Sequence, residues 1–338
     1  MTYSSGGLIQ ATDYNGFVGP TASGGTANAN LNDVWAAGSS DKGWGQTAVG
    51  TVTGGTDTVT ATQWASLVNT LASAGSKTGT TITSRSAPTT GQTIGILSAL
   101  NTDLTNVTTN RGNAPAQSAR VLAWTGNAAK TTTTGTGNNA WTITWTHTVT
   151  FPSADQARYF WNAGGTLVMY MNKSSTGLDN DADWNTFVNT VTSTMTMAGR
   201  VNSAAQTIAG VSQTGFTRTG TGGTVTINSN VGWYSLTAGA VATQMFLCYD
   251  TASPYTGDYL QVMAAKNAGS TAITFTTYWV SPARTGAGQS TQISGGTDTT
   301  SPFASWGTAP AVLVGYYAPS TTYLSNSWGT PTVTSTVT

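Results

Sequence analysis

Residues 141–151 read W-T-I-T-W-T-H-T-V-T-F. Trp141, Ile143, Trp145, His147, Val149 and Phe151 take every second position, and threonines fill the places between. A period of two sets the apolar group on one face of a pleated strand and the hydroxyls on the other, the pattern of a half-buried strand. Further stretches rich in β-branched and aromatic residues follow: TLVMYMN, GTVTIN, TQMFLCYD, DYLQVMAAK, TAITFTTYWV and AVLVGYYA. Gly, Asn, Ser and Pro turns separate them, so a β-sandwich is expected from about residue 120 onward.

The period is different before that point. Leu31, Val34 and Trp35 have helical spacing and the run ends at Gly38. In TATQWASLVNTLASAG, Trp64, Leu67, Val68 and Leu71 share a face, with Thr62 as the expected N-cap and Gly75 as the stop. Ile96, Leu97, Leu100, Leu104 and Val107 form a longer stripe that closes at Gly112. Short amphipathic helices of this kind are unstable alone and must pack on something. One more helix is expected inside the β-rich part, DADWNTFVNTVTSTM, with Trp184, Phe187, Val188 and Val191 on one face. Its W-N-T-F-V-N-T-V echoes W-A-S-L-V-N-T-L at Trp64–Leu71, which suggests an old duplication. The fold class is therefore α+β. A short-helix N-terminal region (1–115), read as an assembly or docking region, precedes a larger β-rich, sandwich-like region (116–338) with an inserted helix and a possible division near 205–215.

Charge narrows the function. Only 7% of the 338 residues are charged, against roughly 25% in an average globular protein. There is no glutamate, and Lys plus Arg balance Asp at twelve each. The basic residues are scattered singly, which argues against a nucleic-acid binder. Twelve Trp and twelve Tyr argue against disorder. The exterior must be hydroxyl and amide. Because neutrality favours self-association, a subunit of a permanent assembly tolerates it better than a free monomer does. The single Cys248 lies in an apolar run and reads as a small buried hydrophobe. No signal peptide and no membrane span are visible, so no membrane insertion is expected.

Catalytic chemistry finds little support. His147 is the only histidine and sits on the apolar face of its strand, where a satisfied core residue is expected. No G-x-S-x-G elbow is present, and paired carboxylates for glycoside hydrolysis are not evident. Asp179, Asp181 and Asp183 alternate like the opening of a calcium loop, but Trp184 stands where that loop needs glycine and no Glu closes it. Asp181 or Asp183 is read instead as a helix cap. No catalytic residue, cofactor or metal is assigned. The Gly-rich stretches TGTGG (219–223) and SGGTD (294–298) lack the setting of phosphate loops and read as turns. Aromatic residues of the late loops, Trp306, Tyr316 and Tyr323, are candidates for stacking on sugar rings.

The stretch DQARYFWNAGG (155–165) concentrates charge, rings and glycines. Ser153 can cap a short helix with Asp155 in its first turn, Ala157, Phe160 and Trp161 facing inward, and Gly164-Gly165 ending it. Arg158 is expected to pair with a carboxylate or an aromatic ring, within the chain or across a subunit boundary. Arg158, Tyr159, Phe160, Trp161, Gly164 and Gly165, with Trp64 and Leu67 of the earlier helix, are read as structural or interface residues.

The phrase FPSADQARYFWNAGG (151–165) resembles one found in virion structural proteins of tailed bacteriophages, particularly those of cyanobacteria. SDKGWGQ (40–46), following IQATDYNGF (9–17), and VTATQWASLVNTL (59–71) are similar to other phrases of those proteins, as is Asn110-Arg111. The resemblance covers residues 9 to 200 and carries no catalytic residues. It implies a tail, fibre, baseplate or neck component that works by oligomeric assembly, with a trimer expected. Its partners would be copies of itself and other virion proteins, and its location the virion, after synthesis in the host cytoplasm. The alternative is a receptor-binding adhesin that recognises host surface glycan through the late aromatic loops.

Overall fold

The computed structural model describes residues 11–19, 30–54, 58–90, 97–121, 128–129, 141–174, 179–199, 206–251, 256–282 and 310–338. Its helices in chain order are α1 (Ala11–Val18), α2 (Leu31–Trp35), α3 (Ala61–Thr78), α4 (Leu97–Thr109), α5 (Ala154–Ala163) and α6 (Asp179–Thr186), the last continuing as a π-helical turn over Phe187–Thr192. The early strands are β1 (Asn113–Ala114), β2 (Arg120–Val121), β3 (Ala128–Ala129), β4 (Trp141–Thr150), β5 (Thr166–Asn172) and β6 (Thr194–Met197). Four short ones follow: β7 (Gln206–Ile208), β8 (Val211–Gln213), β9 (Phe216–Arg218) and β10 (Thr224–Ile227). The remainder are β11 (Thr243–Tyr249), β12 (Tyr259–Lys266), β13 (Ala272–Ser281), β14 (Ala311–Tyr317) and β15 (Thr332–Val337). The molecule is α+β, with short helices in the N-terminal region and a β-rich remainder.

Two large sheets face each other. One is antiparallel in the order β10-β11-β12-β13-β4-β15, and the other runs β2-β14-β5-β6-β9 with β3 beside β14. The inner faces meet directly: His147 Nε2 on β4 lies 2.9 Å from the Val312 carbonyl on β14, and Thr277 Oγ1 on β13 lies 3.7 Å from Met169 Sδ on β5. The expected alternation of β4 is realised, with Ile143, Trp145, His147 and Val149 buried. A small sheet, β1-β7-β8, joins Asn113–Ala114 to the hairpin around Ala209-Gly210. Helix α5 connects β4 of one large sheet to β5 of the other. Buried residues from α1–α4 and from both large sheets form one continuous apolar cluster.

Three local expectations change. Helix α3 is capped by Thr60, not Thr62: Thr60 Oγ1 accepts from Gln63 N at 3.3 Å while Gln63 Oε1 accepts from Thr60 N at 2.8 Å. This reciprocal capping box places the start two residues earlier. The helix also runs through Gly75 to end at Gly79, whose φ of 65° suits glycine. Gly75 serves a different need, since a Cβ there would lie 2.2 Å from Ile82 Cγ1. Finally, α6 begins at Asp179, so Asp181 and Asp183 lie inside the helix and neither is its cap. Ile96 lies outside the described residues. Among the described residues no helix is long and apolar enough to cross a membrane.

Candidate functional site

The DQARYFWNAGG segment is an internal joint. Ser153 Oγ accepts from Gln156 N at 3.1 Å, α5 follows, and Gly164 at φ 108° closes it with its N–H directed to the Phe160 and Trp161 carbonyls. Phe160 and Trp161 are fully buried, Trp161 stacking on Trp233 at 5.5 Å and 23°. Gly165 is required by contact, because a Cβ would meet the Phe160 ring at 2.6 Å.

The polar face of α5 grips the loop after α2. Arg158 donates to the carbonyls of Ala37 and Lys42, the latter at 2.8 Å, and to Asp155 Oδ1 at 2.8 Å, with its guanidinium 4.8 Å from the Tyr159 ring centroid. Asn162 Nδ2 donates to Lys42 O and Gly43 O at 2.8 and 3.1 Å, while its Oδ1 accepts from the Tyr234 hydroxyl at 2.8 Å. Gly45 (φ 69°) lies flat against Tyr159, where a Cβ would come within 2.3 Å of the ring. Beneath them Lys77 is buried. Its ammonium donates to the Arg111, Asn113 and Asn162 carbonyls at 3.2, 2.8 and 3.4 Å and stands 4.2 Å from the Trp44 centroid. A buried ammonium persists only when hydrogen-bonded, and carbonyls with an aromatic face supply that here. Gln46 extends the joint to the C-terminal segment, donating to Ser325 O at 3.0 Å and accepting from Ser325 N at 2.8 Å. SDKGWGQ and DQARYFWNAGG, distant in sequence, are thus two halves of one clasp. Trp64 and Leu67 are core residues of α3.

The other singled-out residues divide clearly. His147 is fully buried, and desolvation lowers its pKa to about 4, a shift the contact with the Val312 carbonyl only partly opposes. It is a neutral core residue. Cys248 is fully buried as well, and burial pushes its thiol up to about 11. Tyr316 is 3% exposed and packs edge-on against Phe160 at 6.0 Å. It therefore cannot stack on a sugar: the alternation of β14 carries Val312, Val314 and Tyr316 to the inner face. Tyr323 is 41% exposed, and Trp306 lies outside the described residues. The side chains of Asp179 and Asp181 are likewise outside them. Among the described residues no group of three or more His, Cys or Asp side chains is placed to hold a metal ion.

Two surface features remain. The outer face of the β10–β15 sheet carries threonines in register: Thr150, Thr148 and Thr146 of β4 oppose Thr332, Thr334 and Thr336 of β15. On the other side, Thr148 and Thr146 oppose Thr274 and Thr276 of β13, with a 2.9 Å hydroxyl contact between Thr148 and Thr274. The face continues through Tyr278 and Val280 to Tyr259, Gln261, Met263 and Ala265 of β12, then to Leu247 and Tyr249 of β11 and Thr224 and Thr226 of β10. None of these side chains is charged. The second feature is a cleft of about 210 Å³ between the π turn and the end of β11, with Asp183, Phe187, Val191, Tyr249 and Asp250 among its walls.

No family model matches this chain, and neither the curated proteins nor the solved structures yield a match.

Proposed function

We propose that this chain is a non-enzymatic structural subunit of a phage particle, part of the tail or its appendages, and that it acts by assembling with copies of itself into a trimer. One observation carries the reading: a six-stranded sheet presents an outer face without a charged side chain. A cyclic assembly brings copies of the same side chain together around its axis, so in a trimer a charge near the three-fold would face two like charges. A face of hydroxyls, amides and a few rings avoids this, since every hydroxyl both donates and accepts. The end strands β10 and β15 hold Thr, Val, Ile and Ser without the lysine or inner proline that usually blunts an open edge. The resemblance of the clasp phrases to virion proteins supports the particle setting, and the clasp accounts for how a chain with only 7% charged residues holds its N-terminal helices to its sheets. Other virion proteins are the further partners expected.

The mass of the purified protein at micromolar concentration tests this. A trimer is expected, and Thr146→Lys combined with Thr276→Lys should yield a monomer with little change in melting temperature. A parent protein that is a stable monomer refutes the reading.

A further inference from the structure

The six-stranded sheet ends in two strands that each have one paired neighbour among the described residues, β15 on β4 and β10 on β11. The bonding pattern shows which main-chain groups they leave over. Thr338 and Thr144 donate to each other's carbonyls at 2.9 and 2.8 Å, so by alternation Thr336, Thr334 and Thr332 also bond to β4. The N–H and C=O groups of Val333, Ser335 and Val337 then point away from it. On β10, the Asn228 N–H donates to Met245 O at 2.9 Å, which by the same alternation turns the groups of Val225 and Ile227 away from β11. None of these five residues has a further main-chain partner among the described residues. Their side chains all lie on the inner face, opposite Val149, His147 and Trp145 at one edge and Cys248 and Phe246 at the other. That face is only half covered at both ends: Val333, Val337, Val225 and Ile227 are partly buried, whereas Val149 and Cys248, one strand further in, are fully buried.

We infer that β15 of one copy pairs antiparallel with β10 of the next, so that the trimer closes through main-chain hydrogen bonds between its sheets. This rests on the assembly reading and names the contact that makes it. A cyclic trimer joins unlike patches, so β15 must meet a different edge, and β10 is the other end of the same sheet. Direction agrees. Five antiparallel steps separate β10 from β15, so the two run oppositely, and a three-fold axis along the strands keeps them opposed between copies. Face agrees as well. Residues directly opposite each other in a ladder share a face, and the free main-chain groups of both edges belong to inward side chains. The sheet therefore continues from copy to copy without turning over, its uncharged face toward the axis. The valines of β15 then lie beside Val225 and Ile227, burying apolar surface that each edge alone leaves half open. The outer side chains follow the same plan. Threonines stand on β10, β4 and β15, where neighbouring sheets converge, while Tyr259, Met263 and Tyr278 stand on β12 and β13 in mid-sheet. With strands about 4.8 Å apart, each side of a three-sided ring is about 29 Å wide and its middle lies about 8 Å from the axis, a gap that tyrosines span.

Residue-resolved amide exchange on the whole protein tests this. In the trimer the Val333, Ser335, Val337, Val225 and Ile227 amides should exchange about a hundredfold or more slower than in an unstructured chain. They should lose that protection in the Thr146→Lys, Thr276→Lys monomer, while Thr334 and Thr336, bonded to β4, stay protected in both. Ser335→Pro removes an outward N–H and no bond to β4. It should raise the dissociation constant of the trimer about tenfold or more, with the near-UV circular dichroism of the fold unchanged. Fast exchange at the five amides in a trimeric parent overturns the edge contact and leaves the assembly reading standing. So does protection on β15 with none on β10, or a folded Ser335→Pro trimer as tight as the parent. A monomeric parent sinks the assembly reading itself, and this contact with it.

Discussion

Helix α3 and the α6–π segment carry the same eight-residue design, W-A-S-L-V-N-T-L at Trp64–Leu71 and W-N-T-F-V-N-T-V at Trp184–Val191, yet they end as different objects. Both bury the tryptophan and the apolar positions three and four residues later. The first remains α-helical over 18 residues, while the second widens at Phe187 into a π turn. The cause lies in their surroundings. Trp64 packs edge-on against Tyr14 at 5.3 Å, and its Nε1 has no hydrogen-bond partner among the described residues. Trp184 is pinned twice: it stacks on Trp279 at 5.3 Å and 10°, and its Nε1 donates to buried Asp258 Oδ2 at 3.1 Å. Downstream, Arg218 holds the Val191 carbonyl. A pattern of apolar positions decides which residues go inside, and the groups they meet decide the pitch of the helix.

The largest expected effect comes from the two tryptophans. Each Trp→Ala change should destabilise by about 3–5 kcal/mol, since it removes a large buried ring. The Trp→Phe pair is sharper. At Trp64 it removes only volume, but at Trp184 it also takes a donor from a buried carboxylate, adding about 1–3 kcal/mol. Urea melts of the two variants measure the difference. Equal losses would break the comparison.

Acidification asks whether the two helices stand on one core. His147 lies on the strand between them, with its folded pKa lowered to about 4 from an ordinary value near 6.5. The unfolded chain therefore takes up the proton first. Stability is full above about pH 6.5, falls as pH drops toward 4 and levels below that, a total of about 3 kcal/mol. Hydrogen exchange at Leu71 and Val188 should lose protection together, and the difference between parent and His147→Gln isolates this term from the carboxylates. Protection that survives at Leu71 alone would mean that the N-terminal helices fold apart from the sheets.

Much of this architecture was legible because period and burial agree. The strands that alternate cleanly, β4, β12 and β13 above all, were visible without any partner. β15 was not, because Ser335 interrupts its apolar side and threonines fill the other, leaving no contrast for the eye to find. The clasp was half legible. Its cap, its inward rings and its glycines follow from local chemistry, but Arg158 and Asn162 bind main-chain carbonyls, which every residue possesses and no sequence motif marks. Tyr316 shows the opposite failure: loop composition suggested exposure while strand parity, read from Val312 and Val314, already placed it inside. The cleft gave no signal, since its wall depends on an arginine and glycines some thirty residues beyond the turn they shape.

Glycine substitutions probe those distant constraints. Gly220→Ala drives a Cβ against the Val191 carbonyl, which is backbone and cannot give way, so a loss of about 2 kcal/mol is expected, with faster exchange at the Ser193 amide. Gly75→Ala meets a side chain instead. The clash with Ile82 is partly offset by roughly 1 kcal/mol of added helix propensity, so its net effect should be smaller, and Ile82→Ala in the same chain should remove the clash. If both glycine variants behave alike, the π turn is a property of its own sequence and not of the loop behind it.

The cap of α3 gives the smallest effect and the cleanest reading. Thr60→Ala should cost about 1 kcal/mol, because Gln63 N loses its acceptor at a helix start where the backbone donors have no intrahelical partner. Thr62→Ala should be close to neutral, since residue 62 lies inside the helix and takes no part in the capping box. Thermal melts of the two variants separate these roles. A helix that answers to its cap is held by its own sequence, and one that does not is held by what it packs against.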